Sequence, residues 1–129
     1  MELWKLAWRA LAKFLPTSGL VSLREAVETD DPKLLQGATT SPPLMCVQDW
    51  PIEGACATGW CGWKGNDLKT VGEVEKFFAE RCHMCDEELK EPAGVRHFLN
   101  WFDDTPRNEM RRLLLPEIDL ILAQRTTGG

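Results

Sequence analysis

The chain has 129 residues, 43% of them apolar and 27% charged, and a formal net charge of -5 at pH 7. This length suits one domain that buries about two-thirds of its unfolded surface, and the composition excludes a disordered or collagen-like chain. The acidic balance argues against a duplex-DNA surface, which needs an excess of Lys and Arg to neutralise phosphates.

Residues 1–15 predict an amphipathic helix, with Trp4, Trp8, Leu11 and Leu15 on one line and Leu3, Ala7 and Phe14 beside it. Lys5, Arg9 and Lys13 break the apolar run, so no signal peptide is expected, and the chain nowhere reaches the ~20 apolar residues of a membrane span. Pro16 and Gly19 end this helix. Ser22 and Glu25 have the spacing of a capping box and predict a second, short helix ending near Thr29. Asp31 and Pro32 predict one or two further turns, stopped by Gly37. Residues 38–43 read as a loop, and residues 44–50 carry a weak strand hint in Met45, Val47 and Trp50.

Residues 51–66 are punctuated by Gly54, Gly59, Gly62 and Gly65. Pro51 could open a short helix through Ala57; the glycines then favour irregular chain packed closely on another element. Thr70 and Glu73 repeat the capping-box spacing ahead of a long helix with the stripe Val71, Val74, Phe78, Cys82, Cys85 and Leu89. Pro92 predicts the next helix, with Val95, Phe98, Leu99 and Phe102 inward and Asp103 and Asp104 at its close. Thr105 and Pro106 open a last one, striped by Met110, Leu113, Leu114, Ile118, Ile121 and Leu122. Pro116 should kink or split it, since proline lacks a donor and crowds the carbonyl one turn back. Residues 126–129 are expected to fray as a polar tail.

The expected fold is all-α: one globular domain over residues 1–129, a compact bundle of five or six short helices with an irregular Gly/Trp/Cys-rich middle segment. A small zinc-centred α+β domain remains the alternative. It would rest on Cys56, Cys61, Cys82 and Cys85, two close pairs about twenty residues apart, near the spacing of four-thiolate zinc sites. Cys46 and His83 could substitute for one of them. Against this, Cys82 and Cys85 share a stripe with Val74 and Phe78, and reduced cysteine is often simply buried. A redox role for Cys82-x-x-Cys85 is disfavoured by Asp86, Glu87 and Glu88, because negative charge raises a thiol pKa.

Neither His83 nor His97 has the partners of a nucleophilic triad at readable spacing, and no phosphate-binding glycine loop appears. The Asp pairs at 30–31 and 103–104 are expected as helix caps. The leading functional expectation is therefore a non-enzymatic protein–protein interaction module, an adaptor, inhibitor or accessory subunit. Candidate contacts are Trp4, Trp8, Trp60 and Trp63, residue types that anchor interfaces, together with the basic cluster Arg107, Arg111 and Arg112. Residues 1–15 could alternatively lie on a membrane surface. A zinc-stabilised regulatory or nucleic-acid-linked module and a small enzyme with a scattered site stand as the other readings. The odd count of five cysteines and the lack of an export signal point to reduced thiols and the cytoplasm, with no cofactor other than zinc in view.

Overall fold

A computed structural model describes residues 1–46 and 48–127, apart from the side chains of Cys46 and Thr127. Among the described residues there are six α-helices: α1 (Leu3–Ala12), α2 (Thr17–Thr29), α3 (Ala57–Gly65), α4 (Val71–Leu89), α5 (Arg96–Asp104) and α6 (Arg107–Thr127). Two two-residue strands, β1 (Thr40–Ser41) and β2 (Gly54–Ala55), pair antiparallel with Thr40 opposite Ala55. The fold is thus an all-α bundle in which the sheet only clips a loop together. No helix among the described residues is long and apolar enough to cross a membrane.

Helix α1 packs on α4, α5 and α6, while α2 packs on α3 and α6, and α3 on α4. The helices α1, α4, α3, α2 and α6 therefore form a closed circuit, with α5 laid against α1. One continuous core fills it, including Trp8, Leu11, Leu20, Leu23, Phe98, Phe102, Leu114 and Ile118, all fully buried. The line Trp4, Trp8, Leu11 and Leu15 faces this core, as the 3.6-residue period requires.

The helix signals fare unevenly. At α4, Thr70 Oγ1 accepts from the Glu73 backbone N–H and the Glu73 carboxylate accepts from the Thr70 N–H, a complete capping box. Its buried side is Val71, Val74, Phe77 and Cys85, with Phe78, Cys82 and Leu89 half-buried, so Phe77 joins the expected stripe. The Ser22–Glu25 signal is overruled. Helix α2 starts directly after Pro16, and Ser22 lies inside it with its hydroxyl accepting from Trp60 Nε1 at 3.3 Å. Helix α1 already stops at Ala12 with Lys13 as its C-cap, Pro16 is the N-cap of α2, and Gly19, expected as a stop, lies inside α2.

The helix expected after Asp31 does not form. Asp31 Oδ1 instead accepts from the Lys33 backbone N–H at 2.9 Å, and Leu34 bridges to Ala55. Side chains of Asp offer the backbone such turns in competition with helix. Residues 44–46 make a single 3-10 turn in place of a strand, and Val47 lies outside the described residues. Pro92 opens a turn, and α5 begins at Arg96. Pro116 sits within α6 on an exposed face without splitting it. The same helix carries Thr126 and Thr127; Gly128 and Gly129 lie outside the described residues.

The largest departure is α3, a helix within the stretch read as irregular after Ala57. Each helical glycine costs roughly 1 kcal/mol against alanine, and α3 has three. Close approach explains their use. A Cβ on Gly62 would come 2.6 Å from the Phe77 ring of α4, and one on Gly65 would come 2.6 Å from Pro16 and 2.7 Å from the Gly19 nitrogen of α2. Gly19 in turn lies so close to Cys61 that a Cβ there would meet the Cys61 backbone carbonyl at once. Glycines on both helices let α2 and α3 approach backbone to backbone.

Candidate functional site

The four cysteines nominated as ligands stand on two neighbouring helices. Cys56 is the N-cap of α3 and its Sγ accepts from the Gly59 backbone N–H at 3.5 Å; Cys61 is fully buried one turn on. Cys82 and Cys85 lie on α4, and the buried Cys85 thiol donates to the Ala7 carbonyl of α1 at 3.5 Å. Among the described residues no three His, Cys, Asp or Glu side chains are grouped to hold a metal ion. Burial pushes the thiols of Cys56, Cys82 and Cys85 up to about 12, and that of Cys61 upward as well. At neutral pH such thiols are protonated, which withholds the thiolate that nucleophilic attack needs. Cys46, the substitute ligand, has its side chain outside the described residues. His83 and His97 each face a carboxylate rather than a nucleophile: Glu87 at 3.0 Å and Glu91 at 2.7 Å.

The nominated tryptophans turn mostly inward. Trp8 is wholly enclosed against Phe98, and Trp4 stacks on Trp101 of α5 with ring centroids 3.6 Å apart and planes within 2°. Trp60 is buried, with Trp63 edge-on to it, half-buried, and Lys64 Nζ 3.9 Å from the Trp63 ring centre. Trp50, which the sequence did not single out as a contact, is the exposed member of the set.

The basic cluster is spent on the fold. Arg107 donates to Asp30 Oδ1 at 2.8 Å, to the Leu34 carbonyl at 2.7 Å and to the Asp31 carbonyl at 2.8 Å; Arg111 donates to the carbonyls of Val27 and Glu28. The Val27 and Glu28 carbonyls belong to the last turn of α2, where a guanidinium also meets the negative pole of the helix, while those of Asp31 and Leu34 lie in the turns that follow it. Asp30, in a left-handed conformation, is the C-cap of that helix rather than an N-cap. Arg125 does the same for α1, donating to Ala12 and Leu15 carbonyls, and Arg81 to that of Phe14. Arg112 stays exposed, 3.7 Å from Glu109.

Two features are left without such an internal use. One is a cavity of about 110 Å³ between the start of α3 and the inner faces of α4 and α5. Phe78, Phe98, Leu99 and Phe102 make its apolar wall, and Cys56 and Thr58 close it at α3. Thr58 is 0% exposed and its hydroxyl meets no hydrogen-bond partner among the described residues. Burying a hydroxyl unpaired costs about 1–3 kcal/mol. Asp103 at the edge of the cavity accepts from the Gly37 backbone N–H at 2.9 Å. Sequence spacing could not have found this site, since its walls come from four separated segments.

No protein-family model, curated protein or solved structure matches this chain.

The second feature is an apolar strip on the outside of α1. Met1, Leu3 and Leu6 are 74%, 59% and 44% exposed, while Trp4, Ala7 and Trp8 on the other side are buried. Leu3 and Leu6 are three residues apart and so share one face. Lys5 and Arg9 keep one side of the helix polar, so Leu3 and Leu6 widen its apolar face beyond the part the core covers.

Proposed function

We propose that this domain is a non-enzymatic interaction module that docks another protein on the outer face of α1. The observation that supports this reading is the Met1–Leu3–Leu6 strip on a helix whose inner face is already clamped by α4, α5 and α6. A helix held rigidly from behind presents its outer side chains at little ordering cost on binding. An apolar partner groove would cover leucines that now face water. The buried tryptophans serve this role indirectly, by fixing the helix; Trp63 and Arg112 remain secondary candidates at the surface. A cytoplasmic location belongs to the same reading, because Cys56, Cys61, Cys82 and Cys85 are free thiols, the form a reducing compartment maintains. Four thiols serving as packing, with zinc unnecessary to the fold, complete it.

The test is a crosslinking pull-down from the source cell with wild type and the Leu3→Gln/Leu6→Lys double variant. Both substituted positions are exposed, so the variant should melt within about 0.5 kcal/mol of wild type. The expected outcome is one stoichiometric partner captured by wild type and lost with the variant. The same partner retained by both proteins would refute docking on this face. Sedimentation with anionic vesicles, abolished by the same variant and with no protein partner found, would assign the strip to a membrane surface instead.

A further inference from the structure

We infer that the groove between α2 and α3 binds a free basic α-amino acid, its carboxylate on Lys64 and its two cationic nitrogens on Glu25 and Asp31. The groove, about 220 Å³, is walled by α2, the turn that follows it and the last turn of α3. Ala26 and Trp60, both buried, close its floor, where the Trp60 indole Nε1 donates to Ser22 Oγ at 3.3 Å and ties the two helices together. Helix α1 contributes nothing to this lining, so the inference stands whether or not the outer face of α1 docks a protein.

Three charged side chains stand around this floor. Glu25 and Lys64 are exposed and Asp31 is half-buried, so all three are open to a ligand. None of them forms an ion pair among the described residues, although both signs of charge line the one groove. Local contacts keep them apart. The Lys64 ammonium is drawn to the indoles, with Nζ 3.9 Å from the Trp63 ring centre and 5.4 Å from that of Trp60. A ring face takes an ammonium from one side and leaves N–H groups for an acceptor on the other. Asp31 is turned to its own backbone, Oδ1 accepting from the Lys33 N–H at 2.9 Å, and its second oxygen stays open to a donor.

This arrangement selects by charge. A simple amine or metal cation would leave the fixed Lys64 ammonium facing a like charge, and a simple anion would meet two carboxylates against one ammonium. A ligand that carries both signs satisfies all three. The groove holds two negative charges and one positive, so its complement has two cationic nitrogens and one carboxylate, which is the charge pattern of lysine, ornithine or arginine.

L-lysine, cadaverine and ε-aminocaproate are the probes; they share one carbon chain, the second lacking the carboxylate and the third the α-ammonium. They are titrated into 15N-labelled protein at low ionic strength, because salt screens exposed charges. Lysine should saturate, moving the amides of Glu25, Thr29, Asp31 and Lys64, and should bind roughly fivefold tighter than either truncated probe, the upper worth of one exposed ion pair. Net charge alone would rank cadaverine first on this acidic protein. Lys64→Met, whose thioether still packs on the indoles, should lose the lead of lysine over cadaverine, and Glu25→Gln should lose its lead over ε-aminocaproate. Both positions are exposed, so both variants should melt with wild type. Lysine shifts that never saturate, or cadaverine binding as tightly as lysine, would overturn the inference and leave an ordinary acidic surface. So would a folded Lys64→Met protein that keeps the wild-type order of the three probes.

Discussion

Asp30 shows how a single side chain acts on stability through its partner. The hydrogen bond from the Arg107 guanidinium holds its carboxyl below the ordinary value of 3.8, with the charges of Arg107 and Arg111 acting in the same direction against desolvation. A carboxyl depressed in the folded state protonates first in the unfolded chain, so acid favours unfolding between the two values. The contribution is complete above the ordinary carboxylate range and is lost as pH falls through it toward the lower folded value. Glu73 and Glu91 are depressed too, by backbone and hydroxyl donors at the α4 cap and by His97 with Arg96 respectively, and add slopes of the same sign. Urea midpoints should therefore fall between pH 5 and pH 3 in wild type, and fall less steeply in Asp30→Asn. Equal slopes in the two proteins would show that the Arg107 contact does not bias Asp30 in solution. Replacing Arg107 by Lys should cost about 1–2 kcal/mol at neutral pH, because one ammonium cannot serve Asp30 and two diverging carbonyls as the planar fork does.

At the level of the helix, α3 contradicts its own composition and so reveals what tertiary contact can override. Alanine in place of Gly19, on the facing α2, should raise intrinsic helix propensity by roughly 1 kcal/mol. The added Cβ would instead collide with the Cys61 carbonyl and lie 2.8 Å from its Cα, atoms of the α3 backbone that no rotamer change can move. We expect a net loss of about 1–3 kcal/mol from overpacking, read as a lower melting temperature; a Gly19→Ala protein more stable than wild type would mean that α2 and α3 are not in backbone contact. Elements with local instructions were legible in the sequence. The capping box at Thr70, the stripes of α4 and α6 and the inward line of α1 all follow from neighbours within a few residues. The helix of residues 57–65 was not, because its stability lies in Phe77, Pro16 and Gly19, far away in sequence. The arginines were misread for the same reason: Arg107 and Arg111 are a basic run along the chain and become caps only when the end of α2 is brought to them. The cavity at Thr58 is the extreme case, a site with no local signature at all.

For the molecule as a whole, α1 is the element that joins the two halves of the helix circuit, and it does so through contacts of several kinds. Trp4 stacks on α5, Cys85 of α4 reaches its Ala7 carbonyl, and Arg9 forms a two-pronged ion pair with the buried Glu117 of α6 at 2.9 and 3.0 Å. Truncating Trp8 to alanine should cost about 3–5 kcal/mol, the range for a large buried aromatic, against a total of roughly 5–15 kcal/mol for a typical domain. Removing residues 1–12 altogether deletes the shared wall of α4, α5 and α6. The remaining helices would keep much of their far-ultraviolet dichroism, lose the near-ultraviolet signal of packed indoles and bind a hydrophobic dye, the signs of collapse without fixed packing. Leu3→Gln/Leu6→Lys should do none of this, since those side chains already face water. The contrast separates the two faces of one helix: if the outer double variant also lost cooperative unfolding, the leucines would be part of the core's support, and the surplus apolar surface on which docking depends would be accounted for by stability alone.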